Sequence, residues 1–157
     1  MELKHKETFP TPWDFSNVDK SMLSPLGNYT IEYGNLNEFG QGSPLQGVLY
    51  VKNLKSGKKA KIFELAGGPP IWSKNDDIAA VPIWWRGCLY GKGQKLLVIN
   101  LQANEFIIYK NTFRVLHLKT FEGNIITGED SPKHKPSPLN FDLLENKAMF
   151  KKLIPAF

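Results

Sequence analysis

The chain has 157 residues, with 20 Lys and Arg against 15 Asp and Glu and a formal net charge of +5. That length suits one domain with a substantial core and is short for two. The single cysteine, Cys88, excludes an intramolecular disulfide framework. The 13 Gly and 11 Pro suit a turn-rich all-β chain.

Charge is uneven along the chain. Residues 1–50 hold 3 Lys/Arg against 6 Asp/Glu, residues 51–100 hold 9 against 3, and residues 101–157 hold 8 against 6. The first third is therefore acidic and the middle third basic. Met1 to Lys20 is charged and broken by proline, unlike a secretion leader or a membrane span, so a cytoplasmic location is expected. Phe9, Trp13 and Phe15 are costly to leave in water, so residues 1–20 are predicted to dock as an arm on a body formed by residues 21–157.

Ser24 to Asn28 reads as a turn and Tyr29 to Tyr33 as a half-buried strand. Asn28-Tyr29-Thr30 matches a glycosylation sequon but lacks a secretion context. Gly34 to Gly47 is rich in Gly and Asn and reads as a long connection. Strands are expected over Gly47 to Leu54 and Lys59 to Leu65, joined by a tight Lys55–Lys58 turn. After Pro69 and Pro70, a Trp72–Asp77 turn leads to two apolar runs, Ile78 to Trp85 and Leu96 to Leu101, joined by a Gly-rich hairpin. Later strands are expected at Phe113 to Leu118 and Ile125 to Gly128. Leu139 to Leu144 is expected to pair with Ala148 to Leu153 through Glu145-Asn146-Lys147.

These elements repeat. Leu23-Ser24 followed by Asn28 corresponds to Trp72-Ser73 followed by Asp77, 49 positions on. The turn after Leu54 corresponds to the one after Leu101, 47 positions on. A third, fainter unit follows. Units of this period with about four strands each fit propeller blades. Leu23 to Tyr29 resembles the SPDGKY turn of WD40-like and TolB-like blades, and Trp72 to Ala79 resembles their WSpDGk-iA turn. Val98 to Leu101 sits where those blades carry a V-x-D-L strand. The resemblance implies an all-β fold of about three antiparallel blades. Three blades cannot close a ring, so an incomplete, half β-propeller is expected.

Little in the sequence points to a reaction or a cofactor. His5, His117 and His134 are too dispersed for a metal site, and His117 fits a hydrogen-bonded sheet histidine. Gly91-Lys92-Gly93 lacks the remaining phosphate-loop spacing and reads as a hairpin tip. Asp76-Asp77 suits a turn better than an acid/base pair. Cys88 has no local base to activate it. Trp84 and Trp85 are consecutive strand residues and must face opposite sides. One belongs in the core, and the other faces solvent, a partner or the Trp13/Phe15 arm.

Thr112 to Leu118 and Gly128 to Pro132 resemble segments of the cytoplasmic immunity proteins of bacterial contact-dependent growth-inhibition systems. That resemblance implies a non-enzymatic protein whose partner is a cognate toxin with a C-terminal nuclease domain; no membrane or small-molecule substrate is expected, and nucleic acid is not the expected partner. Glu32, Asn35, Glu38, Asp76, Asp77, Trp84 and Trp85 are then the expected toxin-binding residues, the carboxylates occupying a cationic ribonuclease site. The alternatives are a nucleic-acid-binding module using the basic segment 52–61 and a small enzyme working in the curved cleft.

Overall fold

The structure is a computed structural model and describes residues 10–74, 77–88 and 91–157. The described residues form an antiparallel all-β fold. After a short 3₁₀ turn at Lys20–Met22 come β1 (Tyr29–Glu38), β2 (Leu45–Asn53), β3 (Lys59–Ala66), β4 (Ile71–Trp72), β5 (Ile78–Cys88) and β6 (Gly91–Asn100). These are followed by β7 (Glu105–Tyr109), β8 (Leu116–Glu122), β9 (Ile125–Asp130), β10 (Ser137–Asp142) and β11 (Ala148–Leu153). No helix among the described residues is long and apolar enough to cross a membrane.

The larger sheet runs β1-β2-β3-β5-β6-β7-β11, with β4 pairing off its path onto β5. The smaller sheet runs β10-β9-β8. The expected half-propeller of separate blades is not the arrangement found. Propeller blades are separate sheets set around an axis; here β3 joins β5 through the pair Ala66 and Ile83, fusing the first two units into one sheet. Pro82 keeps that seam short. The N–H and C=O of one strand residue point to the same neighbour. Pro82 turns its carbonyl to the Gly67 N–H at 2.9 Å and has no N–H to offer on that side.

The near-continuous apolar runs of β5 and β6 follow from burial on both faces. Ala79, Val81, Ile83, Leu97 and Ile99 enter a core shared with β1–β3. Ala80, Leu96 and Val98 enter a second core against β8–β10. Within the described part of the first 20 residues, Phe15 packs into the first core: it is fully buried, its ring 5.0 Å from that of Tyr33.

The repeat is visible in the hydrogen bonds. Ser24 N–H reaches the Tyr29 carbonyl, and Ser73 N–H reaches the Ile78 carbonyl, both at 2.9 Å. The carbonyls of Asn28, Asp77 and Asn124 accept from the N–H groups of Leu54, Leu101 and Leu143. The side chains of Asn53, Asn100 and Asp142 each accept the N–H two residues on. The third unit ends differently from expectation. β11 does not pair with β10; it crosses to β7, matching Phe150 with Ile108 and Leu153 with Glu105. Its C-terminal extension continues past β7, and the Phe157 carbonyl accepts from Asn53 Nδ2 at 3.1 Å.

The long connection expected from Gly34 is shorter, because β1 continues to Glu38 through a bulge. Asn35 takes a left-handed φ of 51°, which Asn tolerates better than most residues. The ladder therefore survives a run of residues that individually favour turns.

Candidate functional site

The bulge in β1 delivers Glu38 and Phe39 to the end of the larger sheet. The 39–44 connection is closed by Ser43, whose Oγ accepts the Gly40 N–H at 3.0 Å and donates to the Gly40 carbonyl at 2.7 Å. Trp13 of the arm steadies it by donating Nε1–H to the Gly42 carbonyl at 3.1 Å. The Lys133 ammonium lies 4.0 Å from the Trp13 ring centre.

Phe39 is 43% exposed and stands edge-on against Trp84, ring centres 5.4 Å apart. Trp84 is 7% exposed, and its indole N–H has no hydrogen-bond partner among the described residues. Glu38 is exposed and forms no ion pair among the described residues. An exposed aromatic edge backed by a buried one, with a carboxylate beside it in sequence, is suited to docking on a cationic surface.

The other expected residues are not gathered there. Glu32 lies within β1 and pairs with Lys59 at 2.9 Å, so its carboxylate already has a cation. That hydrogen bond raises the Lys59 pKa above its ordinary value. Asn35 holds the bulge, its carbonyl accepting Asn37 Nδ2 at 2.6 Å. Asp77 is 9% exposed in the turn before β5, at the opposite end of the sheet from Glu38. Asp76 lies outside the described residues, as do His5, Phe9 and the side chain of Cys88.

Trp85 faces away from Trp84, as strand alternation requires. Its rings neighbour Phe63 at 6.3 Å and Phe150 at 6.0 Å. Thus Phe39, Phe63 and Phe150 flank the tandem tryptophans, while the arm's Phe15 packs on Tyr33. Within the basic segment, Lys59 and Lys61 pair with Glu32 and Glu64, which reduces its net positive field.

A second concave feature was not singled out in the sequence. A cavity of about 520 Å³ opens between the 3₁₀ turn, the Pro69–Pro70 corner, β4 and β8. Leu23, Pro69, Pro70 and Ile71 supply apolar wall, and Ser21, Trp72 and His117 also line it, with Ser21 Oγ and Trp72 Nε1 themselves buried. His117 Nε2 lies 3.2 Å from the Pro10 carbonyl. A carbonyl only accepts, so Nε2 carries the proton. Burial lowers the His117 pKa more than this bond raises it, favouring neutral imidazole. The sequence signal was the Pro-Pro-Ile-Trp corner, whose rigidity is local; its approach to His117, 45 or more positions away, is set by tertiary packing.

Among the described residues no group of three or more His, Cys, Asp or Glu could hold a metal ion. Comparison with protein-family models, curated proteins and solved structures gives no match.

Proposed function

We propose that the protein is a non-enzymatic immunity protein that binds a cognate nuclease toxin domain and occludes its substrate site. The supporting observation is the Glu38–Phe39 corner, where a half-exposed aromatic ring rests on buried Trp84 beside a carboxylate without an ion-pair partner among the described residues. A nuclease must present cations to phosphate groups, so an opposing carboxylate gives orientation and faster encounter. Phe39 supplies apolar contact at little ordering cost because Trp84 already fixes one side of its ring. Glu32 is less available for this purpose because Lys59 holds it.

The test is protection in cells. Co-expression with the nuclease domain encoded beside its gene should restore growth, and catalytic activity by the chain should not be needed. Unchanged killing by that nuclease, with the protein folded and abundant, counts against the reading.

A further inference from the structure

The two edges of the larger sheet, β1 and β11, are finished differently. At β1 the outward backbone is met by residues 17–24. Ser24 donates its N–H to the Tyr29 carbonyl at 2.9 Å, and its Oγ accepts the Tyr29 N–H at 3.0 Å. Asn17 Oδ1 accepts the Tyr33 N–H at 2.8 Å, and its Nδ2 donates to the Tyr33 carbonyl at 2.9 Å. The outward backbone of β11 has no such cover among the described residues.

Strand alternation identifies the open groups. The Ile154 N–H donates to the Asn104 carbonyl at 2.7 Å, and successive residues of an antiparallel pair turn toward and away from their neighbour. Lys152 therefore faces β7 with its backbone, while Lys151 and Leu153 turn their N–H and C=O groups outward. The side chains are open as well: Phe150 is 53% and Leu153 74% exposed. Phe150 and Lys152 share the face of their β7 partners Ile108 and Phe106, and Lys151 and Leu153 share the other. Lys151 Nζ lies 3.3 Å from Glu105, whereas exposed Lys152 has no ion pair among the described residues.

An open edge is a template for one more strand. Charge selects which strand. A second copy pairing antiparallel about Lys151 or Lys152 would set that lysine directly against its counterpart, and like charges so placed are destabilising. A carboxylate opposite Lys152 gives that ammonium its missing counter-ion, and apolar residues opposite Phe150 and Leu153 remove their surface from water. We propose that β11 receives an extended segment of another polypeptide, added antiparallel as a further strand, with the pattern apolar–acidic–any–apolar facing Leu153, Lys152, Lys151 and Phe150. The site shares no residue with the Glu38–Phe39–Trp84 corner and is independent of toxin binding there.

The test uses the full chain labelled with ¹⁵N and the capped peptide acetyl-Ser-Thr-Val-Glu-Thr-Val-Thr-Ser-amide. Titration should shift the backbone amide signals of residues 150–153 saturably. Amide hydrogen exchange should slow at Lys151 and Leu153, whose N–H groups gain acceptors, more than at Lys152, whose N–H already faces β7. The same peptide with Lys in place of Glu should bind at least about fivefold more weakly, because it opposes like charges. Lys152→Glu, an exposed change that leaves the β7 ladder intact, should reverse that order of the two peptides. No saturable shift at β11, equal binding of the two peptides, shifts without slowed exchange at Lys151 and Leu153, or an unreversed order in Lys152→Glu would overturn the proposal. Slowed exchange at those two amides that rises with the concentration of the free chain would assign the edge to a second copy and overturn it equally.

Discussion

Asn28 and Asp77 hold equivalent positions in successive repeats, and their side chains meet: Asn28 Nδ2 donates to Asp77 Oδ2 at 3.4 Å across 49 residues of sequence. Each residue also offers its backbone carbonyl to the turn that closes its own unit, at Leu54 and Leu101. One pair of turns therefore closes each hairpin locally and ties the two units together. A double-mutant cycle with Asn28→Ala and Asp77→Ala should give a coupling energy of about 0.5–1.5 kcal/mol in denaturant unfolding. Strictly additive single changes would show that the contact contributes nothing.

A second prediction concerns the corner after β3. The Tyr33 hydroxyl is buried and donates to the Gly67 carbonyl at 2.8 Å. Burial raises its pKa well above the ordinary phenol value, so the group stays protonated and donating. A Cβ on Gly68 would lie 2.8 Å from two Phe15 ring atoms and 3.0 Å from that hydroxyl. Gly68→Ala should therefore cost about 1–3 kcal/mol through overpacking. Tyr33→Phe should cost about 1–3 kcal/mol by leaving the carbonyl unmet. Gly40→Ala is the control, since a Cβ there meets nothing within 4 Å and should change stability by less than about 0.5 kcal/mol. Thermal unfolding of the three variants checks the order.

Acid sensitivity gives a third. His117 has a folded pKa below its ordinary 6.5, mainly through burial. Its neighbours Lys119, Glu129 and Asp14 partly oppose one another, Lys119 lowering and the two carboxylates raising it. The unfolded state binds the proton more readily, so this contribution to stability is present above about pH 6.5 and is lost as pH falls toward and through the folded pKa. Glu129 is also depressed, from 4.5, so its contribution is lost only at lower pH. His117→Gln should flatten the stability profile between pH 7 and pH 5, as read by urea unfolding at each pH. An unchanged slope would place the sensitivity elsewhere.

Much of the fold was legible in sequence because strands and turns write short-range signals. The Asn28 and Asp77 turns, the Lys55–Lys58 turn and the apolar run at Ile78 are local features. Their common hydrogen bonds appear at the expected offsets. Assembly was less legible. The single pair Ala66–Ile83 that fuses two units depends on where β3 lands, and the crossing of β11 to β7 depends on contacts about 45 residues apart. The opposed faces of Trp84 and Trp85 followed from alternation alone. Their covers did not, since Phe39, Phe63 and Phe150 come from three other places in the chain. Glu32 looked as available as Glu38 because the sequence does not show that Lys59 lies across the sheet from it. The pocket was hidden for the same reason: Trp72 and His117 are distant in sequence and adjacent only after β4 packs beside β8.

The most direct measurement is calorimetric titration of the cognate nuclease domain into the wild-type chain, Glu38→Lys, Phe39→Ala and Glu32→Lys at two salt concentrations. The account predicts that Glu38→Lys weakens binding at least about tenfold, consistent with loss of about 1.5 kcal/mol or more at a close charge pair. Phe39→Ala should weaken it by a similar factor, and Glu32→Lys, whose carboxylate is already held by Lys59, should have the smaller effect on affinity. Higher salt should lower wild-type affinity, with a smaller salt effect in Glu38→Lys. Wild-type affinity retained by both Glu38→Lys and Phe39→Ala, in variants that unfold at the wild-type temperature, would contradict the account.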